Sequence, residues 1–229
     1  MYCNANQIYK KLINAGIKTS TGKITIEYLG IKADLDSKDA VGHLLQEWLK
    51  EWCKTNQIYA IPNRNTQKSP DFFLNPNSNK SDLLEVKSFN YDKDPAFDVA
   101  DFESYWKSLE TKAYILDTDY LIFGYRLSNY TLEVKDLWLK KIWEITSSSS
   151  KYPVKCQCSN SNQTIKKIRP IKWHKKLNSR STLPFPSRRD FVYALHQTLL
   201  TYKKGNNSQI VNWFQTVENN YLKHTGQLL

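Results

Sequence analysis

The spacing of apolar residues changes from segment to segment along this chain, and each change marks an element. Gln7 to Ala15 has helical spacing and stops at Gly16, whereas Lys23 to Leu29 alternates as a strand does and stops at Gly30. From Asp36 to Lys54 the residues Val41, Leu44, Leu45, Trp48, Leu49 and Trp52 form one helical stripe, with Asp36 or Ser37 as its cap. Ile58 to Pro62 reads as a strand. Two short apolar runs follow, one opened by Pro70-Asp71 and one formed by Leu83-Leu84-Glu85-Val86-Lys87. Asn75 to Ser81 between them is a cluster of turn formers, so the pair reads as two strands joined by a polar turn.

Phe97 to Lys112 is predicted as an amphipathic helix with Phe102, Tyr105, Trp106 and Leu109 inward. Asp98 and Asp101 fall in its first turn, where carboxylates suit the helix dipole. Asp119 to Leu127 reads as a buried strand and Asn129-Tyr130 as a turn into Thr131–Lys135. A short helix is expected over Asp136 to Ile145. Ser147 to Ser150 is a polar break. Beyond it, Val154–Cys158 and Thr164–Ile168 alternate as a hairpin, and helices are expected over Asp190–Tyr202 and Gln209–His224.

Two strands with charged residues inside apolar runs raise a chemical question. Residues i and i+2 of a strand share a face, so Glu85 and Lys87 point one way and Val86 the other, into the core. Charged groups among Leu84, Val86 and Phe89 are expensive to bury unless they pair or bind a metal. Asp71 on the neighbouring strand brings a second carboxylate. Two carboxylates give Mg²⁺ a partial oxygen shell that water and a phosphate complete, and a lysine beside the phosphate stabilises developing charge. The tripeptide Glu-Val-Lys recurs at 133–135, but no Pro-Asp strand precedes that copy.

Charge is unevenly placed. The chain has 229 residues and a net charge of +11. After Ser150 there are 14 basic residues against 2 acidic ones, a balance of +12, which leaves −1 for residues 1–150. A basic segment with interspersed aromatics is the footprint of a nucleic-acid partner. Lys155, Gln157, Lys166 and Arg169 lie on the predicted hairpin, where a β-ribbon can enter a major groove. Lys172 and Lys175 follow it. Arg188 and Arg189 precede a helix, a place suited to phosphate. Before the Pro-Asp strand, Arg64, Gln67 and Lys68 are candidate backbone contacts.

These features sketch an accessory segment at 1–35, a core at 36–146 and a basic region at 151–229, within one compact domain overall. No apolar stretch approaches a membrane span, so no membrane partner is expected. Four cysteines make no disulfide framework, which suits a cytoplasmic protein.

Pro70-Asp71 followed by Glu85-Val86-Lys87 resembles the motif of the PD-(D/E)XK nuclease superfamily. That resemblance implies an α/β (α+β) core, a central mixed β-sheet flanked by helices, with the basic region as a C-terminal extension. It implies Asp71 and Glu85 as metal ligands, with the Val86 carbonyl, and Lys87 as the water-activating or charge-stabilising lysine. Many members carry a glutamate on the helix before the motif. The run Gly42 to Leu49 is similar to that helix and points to Glu47, while the helical wheel favours Glu51. The longer run from Asp71 to Pro170, with Asp-Tyr-Leu-Ile-Phe-Gly-Tyr, Lys-Ile-Trp-Glu-Ile and Ile-Arg-Pro, resembles the NgoBV type of restriction enzyme.

Taken together, these likenesses imply a type II restriction endonuclease acting on double-stranded DNA. Mg²⁺ would be its cofactor, GGNNCC its site and 5′-phosphates its products. A homodimer and a cognate methyltransferase are the expected partners. Two other readings stand beside this one: a non-catalytic DNA-binding protein, and a repair or junction nuclease on the same core.

Overall fold

A computed structural model describes residues 1–36, 40–65, 68–159, 164–175, 182–203 and 208–229. In chain order its elements begin with α1 (Ala5–Asn14), β1 (Thr21–Gly22), β2 (Thr25–Tyr28), β3 (Ile31–Asp34), α2 (Val41–Thr55) and β4 (Ile61–Pro62). Next come β5 (Phe72–Phe73), β6 (Leu83–Asn90), β7 (Ala100–Asp101), α3 (Phe102–Lys112), β8 (Asp119–Ser128) and β9 (Thr131–Lys140). The last are β10 (Cys156–Cys158), β11 (Ile165–Ile168), α4 (Arg188–Tyr202), α5 (Ser208–Val211) and α6 (Trp213–Thr225). They divide into two compact units. Residues 1–95 with 119–140 form the first, and residues 96–118 with 141–229 form the second.

The first unit is built on a six-stranded mixed sheet in the order β1-β9-β8-β6-β5-β4. Only β6 and β8 run parallel, with Val86 opposite Leu121 and Lys87 opposite Ile122. Leu84 and Val86 of β6 join Leu121, Phe123, Tyr125 and Leu127 of β8 on one face. Helices α1 and α2 cover that face with Ile8, Leu12, Val41, Leu45 and Leu49. Each such side chain contributes roughly 1.5–3 kcal/mol on leaving water. The N-terminal segment is therefore part of the core: α1 fills it and β1 extends the sheet edge.

The chain Asp119 to Ser128 turns through Asn129 and Tyr130, whose φ angles of 50° and 60° suit the tight two-residue hairpin turn. It returns as an unbroken strand to Lys140, where the sequence predicts a helix from Asp136. A bulge explains the difference. Tyr125 pairs with Val134 but Gly124 pairs with Asp136, so Lys135 is an extra residue. The buried positions Val134 and Leu137 then stand three apart and mimic helical spacing. A 3-10 turn at Ile142–Glu144 is all that follows. At the bulge a Cβ on Gly124 would lie 2.8 Å from the Trp138 ring. That ring stacks on Phe89 and Tyr91, at 5.6 and 6.3 Å between centroids.

Strands β2 and β3 form a separate ribbon turned through Leu29-Gly30. Pairing places Ile26, Tyr28, Ile31 and Ala33 on one face and Thr25, Glu27, Lys32 and Asp34 on the other. The polar face is internally matched, by Thr25 on Asp34 at 2.8 Å and Lys32 with Glu27 at 3.4 Å. The apolar face is exposed, with Ile26, Tyr28 and Ile31 at 52, 73 and 72%.

The second unit packs α3 against α6, with Trp213 and Tyr221 fully buried. The Trp213 indole donates to the carbonyl of Trp106 at 3.1 Å, and Tyr221 donates to Asp117 at 2.7 Å. The predicted hairpin is present as β10 and β11, and β7 adds a third strand to it. That pairing keeps residues 100–101 extended, so α3 begins at Phe102 and not at Phe97. Asp101 caps it by accepting from the Ser104 N–H at 2.9 Å. Among the described residues no helix is long and apolar enough to cross a membrane.

Candidate active site

The ladder between β5 and β6 is short, holding only Phe72 with Leu84 and Phe73 with Leu83. Beyond it the backbone N–H of Val86 has no strand partner on that side. Asp71, one residue before β5, takes that donor on Oδ2 at 2.7 Å. Its other oxygen, Oδ1, accepts from Gln46 Nε2 on α2 at 3.1 Å. The loop that delivers Asp71 is held by Asn63. Its amide donates to the carbonyls of Lys68 and Pro70, both at 3.0 Å, and its N–H donates to the Asp71 carbonyl at 2.8 Å.

On β6, Glu85 and Lys87 share the face opposite Val86, as strand alternation requires. Lys87 Nζ lies 2.8 Å from Glu85 Oε1. Glu85 is 6% exposed and its second oxygen, Oε2, is buried without a hydrogen-bond partner among the described residues. Burial and the neighbouring Glu85 charge together push the Asp71 carboxyl up to about 6, against the opposing pull of the Val86 N–H, Lys87 and Gln46. The site is thus short of positive charge. An orphaned carboxylate oxygen beside a carboxyl of raised pKa is what a divalent cation would relieve. The donor set fits Mg²⁺, which needs only one or two carboxylates from a protein. Among the described residues no group of three or more His, Cys, Asp or Glu side chains is gathered for a metal.

The glutamates of α2 are each engaged by a lysine of their own helix. Glu47 pairs with Lys50 with its side chain 46% exposed, and Glu51 pairs with Lys54 at 3.3 Å. The helix residue that reaches Asp71 is Gln46, an amide and not an acid. Asn63 was equally illegible, since nothing in its spacing marks it.

A profile of the NgoBV restriction endonuclease family matches residues 2–229. The chain belongs to that family. It is 37% identical over 222 residues to the type II restriction enzyme NlaIV of Neisseria lactamica, covering 96% of this chain and 90% of that enzyme. It is 38% identical over 146 residues to the type II restriction enzyme NgoBV of Neisseria gonorrhoeae, covering 63% of this chain and 83% of that one. The solved NlaIV restriction endonuclease superposes with a TM-score of 0.91 at 35% identity, covering all of this chain and 92% of that one. The fold is accordingly that of a restriction endonuclease, a mixed sheet flanked by helices. The enzyme is a type II restriction endonuclease, a site-specific deoxyribonuclease. Restriction endonucleases of this type act on double-stranded DNA and generally need divalent metal ions.

The candidate DNA contacts differ in how they are held. Arg64 and Lys68 are exposed on the loop before Asp71, and Gln67 lies outside the described residues. Lys166 and Gln157 are exposed on the β10–β11 hairpin. Lys155 donates to the carbonyl of Pro170 at 2.8 Å, and Arg169 pairs with Asp98 and the carbonyl of Ala96. Lys172 and Lys175 are half-buried. Arg188 pairs with Asp117 at 2.6 Å and stacks over Tyr221 at 4.4 Å. Arg189, 59% exposed, pairs with Glu218 at 3.2 Å.

Proposed function

We propose that the enzyme cuts DNA by metal-assisted hydrolysis at Asp71, Glu85 and Lys87. The buried, unpartnered Glu85 Oε2 beside Asp71 is the observation that carries this reading. Asp71, Glu85 and the Val86 carbonyl would hold Mg²⁺, and Glu47, engaged by Lys50, is left out of the set. Such an ion, when bound, polarises a phosphoryl oxygen and lowers the pKa of its water. Lys87, anchored on Glu85 Oε1, presents a fixed cation to the attacked phosphate and steadies the charge that develops there. Asp71, gripped through both oxygens, keeps the site's geometry constant between turnovers.

Lys166, Gln157, Arg189, Arg64 and Lys68 are the side chains we assign to DNA. Arg188, Arg169 and Lys155 make contacts within the second unit and are not included in that assignment. The family resemblance supplies the finer expectations: a GGNNCC site, 5′-phosphate and 3′-hydroxyl ends, and a methyltransferase that protects host DNA. A palindromic site is matched by a two-fold dimer, so the enzyme would act as a homodimer.

The test is incubation with unmethylated phage DNA, in Mg²⁺ or in EDTA, read on a gel. Discrete, metal-dependent fragments are expected, and sequencing their ends gives the site and the cut. Intact DNA that is merely retarded at low salt removes the catalytic assignment of Asp71, Glu85 and Lys87.

A further inference from the structure

We propose that Gln46 is the positioning residue for Asp71 and that α2 is the rigid mount from which it works. The inference rests on reading Asp71 as a metal ligand. Gln46 fixes Asp71 Oδ1 at 3.1 Å while the Val86 N–H fixes Oδ2 at 2.7 Å. Donors from two different elements, a helix and a strand, thereby set the plane of one carboxylate. Each oxygen retains acceptor capacity for a cation.

The helix is placed for this by Gly42, one turn before Gln46. A Cβ at position 42 would lie 3.0 Å from Ser88 Oγ on β6, so any larger residue crowds that contact. Positions 42 and 46 share a helix face. The close approach at Gly42 brings α2 within one glutamine's reach of Asp71. An amide suits the position better than a carboxylate. It donates a hydrogen bond, and it adds no charge where Asp71 already feels the repulsion of Glu85. The carboxylates that α2 does carry, Glu47 and Glu51, pair with lysines of their own helix.

Groups that orient a metal ligand through a hydrogen bond typically govern metal affinity or activity by about 10–100-fold. The experiment is calorimetric titration of Mn²⁺ into metal-free protein, without DNA, for wild type, Gln46→Met, Gln46→Asn and Asp71→Ala. Melting temperatures and low-salt DNA retardation are recorded alongside. Gln46→Met keeps the side chain's length and removes the donor, whereas Gln46→Asn keeps the amide and is one methylene short. Both are expected to bind Mn²⁺ about 10–100-fold more weakly, with melting and DNA retardation close to wild type. Wild-type Mn²⁺ affinity in either folded variant, with affinity lost in Asp71→Ala, overturns the role of Gln46 and leaves the metal reading of Asp71 standing. Wild-type affinity in Asp71→Ala overturns that reading, and the role of Gln46 with it.

Discussion

Lys87 Nζ and Glu85 Oε1 lie 2.8 Å apart on one face of β6, with side chains only 20 and 8% exposed. Removing one partner of such a pair leaves an uncompensated charge, which typically costs about 3–5 kcal/mol when fully buried. Lys87 retains some solvent, so Lys87→Ala is expected to cost somewhat less than that in urea unfolding. The same variant should lose cleavage on a gel and keep specific DNA binding in a retardation assay. Cleavage at the wild-type rate would mean that the assigned site is wrong.

Asp71 makes stability depend on pH. Its carboxyl titrates at about 6 in the folded chain against an ordinary 3.8. Between those values the folded state binds more protons than the unfolded one, so metal-free stability falls as pH rises from about 4 to 6, by up to roughly 1.4 kcal/mol per pH unit. Asp71→Asn should flatten this slope and raise the melting temperature at pH 7. Denaturation curves in EDTA across that range check it. A wild-type slope already flat would show that Asp71 ionises freely.

Two basic residues proposed from sequence should part company on mutation. Arg188 is held by Asp117 and lies over the Tyr221 and Trp143 rings, at 4.4 and 5.3 Å. Arg188→Ala should lower stability by about 2 kcal/mol or more, and Arg188→Lys should not restore it, because lysine lacks the planar stacking group. Lys166→Ala should leave the melting temperature alone and weaken DNA binding. If Lys166 meets a phosphate, the slope of log affinity against log salt falls by about 1. An unchanged slope removes it from the interface.

Gly124 is required by contact and not by backbone angle. Gly124→Ala would drive a methyl into Trp138 at 2.8 Å and disturb its stacking on Phe89. A loss of about 1–3 kcal/mol is expected by chemical denaturation, as for other overpacked positions. Pairing the change with Trp138→Leu should recover part of it.

The cluster of Asp71, Glu85 and Lys87, to which we assign catalysis, was legible as a cluster because a motif and strand alternation agree on it. The period of two put Glu85 and Lys87 on one face and Val86 on the other, and Pro-Asp located Asp71. The helix glutamate was not settled by those means, because the residue that touches Asp71 is an amide chosen by proximity. Its selection depends on how closely α2 approaches β6, which Gly42 controls and which no one-dimensional pattern records. Strand β9 was misread past Asp136 because the bulge at Lys135 imitates a helical step. The basic C-terminal third was legible as charge. Which of its cations remain exposed depends on Asp98, Asp117 and Glu218, acids remote in sequence or on another helix.

The β2–β3 ribbon has a consequence for how the first unit exchanges protons with water. Two strands with an uncovered apolar face do not hold themselves together for long. The ribbon belongs to neither larger sheet, so it can open without disturbing β6 or β8. Its amide hydrogens should therefore exchange for deuterium well before those of the Leu121–Phe123 stretch. A mass-spectrometric time course would then show an N-terminal segment of two tempos, fast at Thr25–Asp34 and slow in the α1 helix that precedes it.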